Sequence, residues 1–214
     1  MKVAVFSESE ADDVALRIFA EGILGTRIEP VLHAGVRARG WPSVRNVLRP
    51  VLLQLHYHTE AEGFILVVDS NGTEPHRETH DKPNARHPQC RLCQLRQIRE
   101  EVFARAKPRP DRPPMKTAIG LAVPSIEAWF RCDQDNHVHE IAWLNGLASG
   151  QLPYSTAQLK TAFYGTDRHS LALETQCMTE AARRLVQNLA HLETCFPNGF
   201  GVFANELRQW KEGV

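Results

Sequence analysis

The chain predicts an α/β fold on a parallel sheet with a helical C-terminal part, and three observations carry this. Short branched apolar runs, VAVF at 3–6, FILVV at 64–68 and TAIGLAV at 117–123, are separated by stretches of helical periodicity. The runs are apolar throughout rather than alternating, as in strands covered on both faces. No comparable run follows Asp133, so the last third reads as helices packed on the sheet.

Taken in order, residues 3–6 form the first strand. Val14, Ala15, Ile18, Phe19, Gly22 and Ile23 then recur at helical spacing, and Gly25 stops that helix. A run at 28–32 contains Pro30, which predicts an edge or irregular strand. Ser43 is placed to cap a helix to about residue 58, with Val44, Leu48, Leu52 and Leu55 on one side. Pro50 is expected to kink or break it. The strand at 64–68 ends in the turn sequence Asp69-Ser70-Asn71-Gly72. A polar, His-rich stretch follows, then a helix over 91–106 that Pro108, Pro110, Pro113 and Pro114 break. The strand at 117–123 leads through Pro124-Ser125 into a short helix with Ile126, Trp129 and Phe130. Further helices are expected over 159–164, 178–192 and 200–210, with His137 and His139 in a polar loop. Residues 1–133 thus form an α/β domain with an insertion at 72–95, and 134–214 a helical extension.

The 25 Lys and Arg balance 25 Asp and Glu in 214 residues, and 43% hydrophobic content is ordinary for a globular chain, excluding a disordered or fibrous protein. No apolar run approaches the ~20 residues of a membrane span. The first residues lack the pattern of an export signal, so the five Cys are expected to be reduced and the protein cytoplasmic. Charge is uneven along the chain. Residues 1–25 carry five acids against Lys2 and Arg17, whereas residues 77–116 carry eleven Lys and Arg against five acids. Residues 27–49 add five Arg against Glu29. The pattern suits a metal site beside a polyanion surface, or two solvated faces without a partner.

Three strands end in an acid at the carboxyl edge, where ligands of open parallel sheets bind. Glu8 follows the first strand, Asp69 the central one, and Glu127 opens the helix after the third. Carboxylates converging there offer the oxygen donors that Mg²⁺ requires, and Glu10 and Asp12 in the same acidic turn could add to them. Each acid also has a simpler reading, as a helix cap, a turn residue or a partner of a helix N-terminus.

The stretches VAVFSESEADDVALRIF, FILVVDSNG and AVPSIEAWF resemble the TOPRIM-like proteins, the acidic-site fold of topoisomerases, primases and related nucleases. More narrowly, they resemble the small TOPRIM-like proteins encoded beside ABC-type ATPases in phage-defence loci. In that group a strand-end Glu is followed four residues later by another acid, matched by Glu8 and Asp12. A later x-x-Glu-Ala-Trp is matched by Glu127, Ala128 and Trp129. The family's central Asp-x-Asp departs here, with Asn71 in its second place. The resemblance implies a Rossmann-like TOPRIM sheet and Mg²⁺- or Mn²⁺-dependent cleavage of DNA or RNA. It implies Glu8, Asp69 and Glu127 as catalytic residues, with Asp12 and Asn71 completing the metal set. Arg37, Arg39, Arg45, Arg91 and Arg96 would hold the nucleic-acid backbone. An ABC-type ATPase is the implied partner, no membrane is involved, and an oligomer is compatible. The alternative is a catalytically degenerate subunit that binds nucleic acid or the ATPase without chemistry.

Between the central strand and the next helix lies His76-x3-His80-x6-His87-x2-Cys90-x2-Cys93. Cys-x2-Cys presents two thiolates to one tetrahedral ion. Structural zinc is therefore expected on Cys90, Cys93, His80 and His87, with His76 as the spare. Cys132, Cys177 and Cys195 read as core packing. The chain has no phosphate-binding Gly-x4-Gly-Lys loop, no Gly-x-Ser-x-Gly elbow and no His-Glu-x2-His motif.

Overall fold

Four parallel strands lie in the order β2-β1-β3-β4. They are β1 (Lys2–Phe6), β2 (Glu29–Pro30), β3 (Gly63–Asp69) and β4 (Lys116–Ala122). This computed structural model describes residues 1–32 and 40–211. The register sets Phe6 beside Leu66 and Asp69 beside Ala122, which aligns the carboxyl ends of β3 and β4. The helices are α1 (Glu10–Leu24), α2 (Trp41–His58), α3 (Arg91–Arg105), α4 (Ile126–Arg131), α5 (Glu140–Ser149), α6 (Thr156–Tyr164), α7 (Leu171–Leu185), α8 (Leu189–Cys195) and α9 (Val202–Arg208).

Strand residues alternate between two cores, as a period of two requires. Ala4, Phe6, Phe64, Leu66, Val68, Ile119 and Leu121 face α2 and α3. Val3, Ile65, Val67 and Ala118 face the opposite way, into a cluster with Phe19 of α1, Trp129 of α4 and Phe200 and Phe203 at the start of the last helix. This second cluster draws on both halves of the sequence, and α1 packs most extensively on α7. The aromatic centre is tightly interlocked, with Phe19 edge-on to Phe200 at 5.2 Å and Trp129 edge-on to Phe200 at 5.1 Å.

Several expectations needed correction. The run at 28–32 is an edge strand, as Pro30 predicts, but only the two residues of β2 are paired as strand. Ser43 does not cap α2; the helix starts at Trp41 behind Gly40, whose φ of +72° is open to glycine, with Pro42 in its first turn. Pro50 does not break α2. It lies on the exposed side beside exposed Asn46, where water can reach the carbonyl to which a proline cannot donate. The helix expected over 178–192 is two helices, because Asn188 leaves helical geometry and its side chain accepts from the His191 N–H at 3.3 Å. His137 and His139 lie in a loop as expected, but the unexpected helix α5 follows it, capped by His139 Nδ1 accepting from Ala142 N–H at 3.1 Å. Glu140, buried at the start of α5, accepts the Asn198 N–H at 2.8 Å and ties that helix to a π-helical turn at Pro197–Gly201.

That turn presses on the sheet at Gly199. A Cβ there would lie 2.6 Å from the Leu121 carbonyl oxygen, which is backbone and has no rotamer to yield. Gly199→Ala is expected to cost about 1–3 kcal/mol, read as a lower urea midpoint with an unchanged slope. A neutral result would mean that the turn can lift off β4 freely.

Candidate functional site

The carboxyl edge of the sheet gathers the acids. β1 hands the chain to α1 through Ser7-Glu8-Ser9, and Ser9 caps α1 by accepting the Asp12 N–H at 3.1 Å. This sets Glu8 and Asp12 on the same corner. Glu8 Oε1 accepts the Asp69 N–H at 3.3 Å, joining the ends of β1 and β3. Asp69 Oδ1 accepts the Ile126 N–H at 3.0 Å, joining β3 to the first turn of α4 and so to Glu127. Asn71 has a φ of +50° and its N–H bonds the Pro124 carbonyl at 2.8 Å, so it closes the turn after β3. Glu10 is exposed in the first turn of α1.

Burial and the neighbouring carboxylates raise Asp69, Asp12 and Glu8. Burial, then Glu127, Asp12 and Glu8, holds the Asp69 carboxyl well above the usual carboxylate range. Burial and then Glu127 push Asp12 up to about 8, and burial raises Glu8 against the Asp69 N–H and Arg91. Glu127 is 3% exposed and its Oε2 has no partner. Its Oε1 is shared by the Tyr164 hydroxyl at 3.3 Å and Lys160 Nζ at 3.5 Å. Burial opposes the charge on Lys160, but Glu127, Asp69 and Asp12 together raise its value, so it stays protonated.

Lys160 and Tyr164 were not among the residues expected here. Both lie on α6, about thirty-five residues beyond Glu127, and only the packing of α6 on α4 brings them in. Lys160→Met is expected to push Asp69 higher still by removing a cation that lowers it. Carboxyl ¹³C titration checks this, and an unmoved Asp69 would remove Lys160 from the pocket's charge balance.

The Arg residues expected on a polyanion divide. Arg37 and Arg39 lie outside the described residues. Arg45 is exposed on α2. Arg91 is turned inward rather than presented: it is 8% exposed, donates to the Asp69 carbonyl at 2.5 Å and stacks over Trp41 at 5.0 Å. Arg96 is also engaged, bonding Asp81 at 2.8 Å and Glu206 at 2.6 Å. Further along the basic stretch, Arg109 and Arg112 bond the carbonyls of His56, Ala61 and Thr59, fastening the Pro-rich loop to the end of α2. Much of this positive charge holds the fold together.

The His/Cys stretch forms a second cluster, with one exchange of ligand. His76, His80, Cys90 and Cys93 bring their donor atoms within 4.8 Å of one another, and His87 is not in the set. His76 Nδ1 lies 3.7 Å from Cys90 Sγ and 3.8 Å from Cys93 Sγ. Sulfur and nitrogen ligands on tetrahedral zinc stand about 3.6 Å apart, given the usual bond lengths. His76 Nε2 faces Asp81 at 3.2 Å, the carboxylate that ligating imidazoles commonly carry on their other nitrogen. His80 Nδ1 is buried without a partner, whereas His87 stacks on the His80 ring at 5.3 Å and accepts the Gln89 N–H. Burial lowers both His76 and His80, keeping the imidazoles neutral, and pushes the Cys90 thiol up to about 12. This is a site that could hold a zinc ion.

The two clusters are adjacent in the chain, since Cys90 caps α3 and Arg91 follows it to the Asp69 carbonyl. A polar chain also leads away from the cluster, from Asp81 through Arg96 to Glu206, whose other oxygen accepts the Ile119 N–H of β4 at 2.8 Å.

Among the described residues no helix is long and apolar enough to cross a membrane. No protein-family model matches the chain, and comparison with curated proteins and with solved structures finds no match.

Proposed function

We propose that the chain is a metal-dependent nuclease of the TOPRIM-like type, with Glu8, Asp12, Asp69 and Glu127 holding Mg²⁺ or Mn²⁺ against a nucleic-acid phosphate. The observation that carries this reading is the meeting of carboxylates from three chain segments at one sheet edge, where burial and the neighbouring carboxylates raise Glu8, Asp12 and Asp69. The unpartnered Glu127 Oε2 supports a missing cation, which Lys160 offsets only in part. The described residues hold two groups of three or more potential ligands within 4.8 Å, and the four acids do not form one. One ion therefore takes at most one or two of them directly and reaches the others through its waters, several of which Mg²⁺ keeps. When bound, the ion would neutralise phosphate charge and acidify a water.

The chain's own residues have separable tasks. Tyr164 Oη and Lys160 Nζ occupy Glu127 Oε1 and fix that carboxylate with Oε2 unengaged. Asp12, pushed up to about 8 without an ion, would give up that proton as a cation binds. Arg91 supports the Asp69 carbonyl and offsets the charge of Glu8 and Asp69. The proposal extends to anti-phage defence beside an ABC-type ATPase, which co-purification with such a partner tests.

A second reading, binding without cleavage, is favoured by Asn71. It supplies no charge, and its place in a left-handed turn is one that Asn fills readily. The deciding assay incubates plasmid, single-stranded DNA and total tRNA with Mg²⁺ or Mn²⁺, comparing the native chain with Glu8→Ala. Cleavage lost in the variant supports the enzyme. Binding without cleavage of any substrate by the native chain favours the second reading.

A further inference from the structure

We infer that the chain has a second zinc site, formed by Cys132, His191 and Cys195 with one coordination position left open. It is independent of the acid pocket and of the His76 cluster. Cys132 ends α4, and His191 and Cys195 both lie on α8. Residues four apart share one helix face, so α8 presents an imidazole and a thiol side by side. The Asn188 cap begins the helix and sets its rotation. Cys132 meets this pair from across the helix packing, and the three donor atoms lie within 4.8 Å of one another.

The spacing of the two α8 donors matches a tetrahedral ion. Cys195 Sγ and His191 Nε2 are 3.6 Å apart, against about 3.6 Å for sulfur and nitrogen on one zinc. His191 Nε2 also lies 3.4 Å from the Cys132 carbonyl, a contact that the nitrogen gives up when it ligates an ion. Without an ion, the Cys132 S–H is directed to the Trp129 carbonyl at 3.2 Å. Two sulfurs and one imidazole nitrogen select zinc over hard cations such as Mg²⁺. Binding releases two thiol protons to water and leaves two thiolates, a neutral imidazole and Zn²⁺, a set with no net charge.

The Asp133 carboxylate, which acts on both thiols, is already committed. Asp133 accepts from Arg184 at 2.7 Å and 3.2 Å, and Arg184 also bonds the Phe130 carbonyl. The fourth position therefore falls to water or to a small incoming donor. A metal here would tie the end of α4, whose first turn carries Glu127, to α8.

The test is zinc content by ICP-MS on full-length protein purified in thiol reductant without chelator. Cys195→Ser and His191→Gln are each expected to hold one equivalent less than the native chain. Cobalt-loaded Cys195→Ser is expected to lose about half of the thiolate-to-cobalt absorption, since two of the four thiolates in the two clusters leave together. If Cys195→Ser does not fold, His191→Gln leaves both thiols in place and decides alone. Equal zinc in the native chain and the folded variants overturns the site. So does a Cys132–Cys195 disulfide in protein kept under reductant.

Discussion

His76→Ala is expected to empty the His/Cys cluster of zinc, whereas His87→Ala leaves it loaded. The argument rests on position: His76 Nδ1 faces both sulfurs, and Asp81 holds its far nitrogen. His87 lies behind His80 as a stacked ring. Structural zinc contributes directly to folding, and partial loss of such a contribution is worth several kcal/mol. In a chain of this size that corresponds to a fall in Tm of roughly 10 °C. The loss should spread beyond the cluster, because Cys90 caps α3 and Arg91 follows it. Metal content and melting of the two variants check this together. Zinc lost from His87→Ala and kept by His76→Ala would return His87 to the ligand set.

Asp69→Asn is expected to stabilise the fold at pH 8 while abolishing any metal-dependent activity. The amide keeps an oxygen for the Ile126 N–H and removes a charge that Glu127, Asp12 and Glu8 oppose. The sign follows from proton binding. Asp69 and Asp12 have raised values in the folded chain, so the folded state holds protons that the unfolded state has released. Stability therefore falls as pH rises from about 4, the free Asp value, toward the value near 8 at Asp12. Mg²⁺ should oppose that fall, raising Tm at pH 8 more than at pH 5, by RT ln(1 + [L]/Kd). With the ion at about a hundred times its Kd this is ~2.7 kcal/mol, or roughly 5–10 °C here. Asp69→Asn and Glu127→Gln should lose most of the response. A native Tm indifferent to millimolar Mg²⁺ at pH 8 would sink the metal assignment.

The strands and their terminal acids were legible because buried parallel strands must be apolar throughout and must end in polar turns. That logic puts Glu8, Asp69 and Glu127 at one edge of the sheet, where they lie. The helix starts at His139 and Asn188 were not, since one is an unusual cap and the other sits within unbroken helical periodicity. Cys90 and Cys93 declared themselves by spacing, but the choice between His76 and His87 depended on the fold around Asp81. Lys160 and Tyr164 left no local signal, because nothing in α6 reports which helix it packs against. The charge of Arg91 and Arg96 was visible in the sequence; that both side chains are committed to internal partners was not.

The sharing of one core by both halves of the chain bears on how such a protein can be inherited or rebuilt. Phe200, Phe203 and Leu185 fill the same cluster as Val3, Ile65 and Phe19, while α6 delivers Lys160 to Glu127. A junction placed near residue 133 would strip one sheet face and unbalance the carboxylates in the same stroke. The first 133 residues are thus no portable cassette: recombination or grafting must carry the downstream helices along.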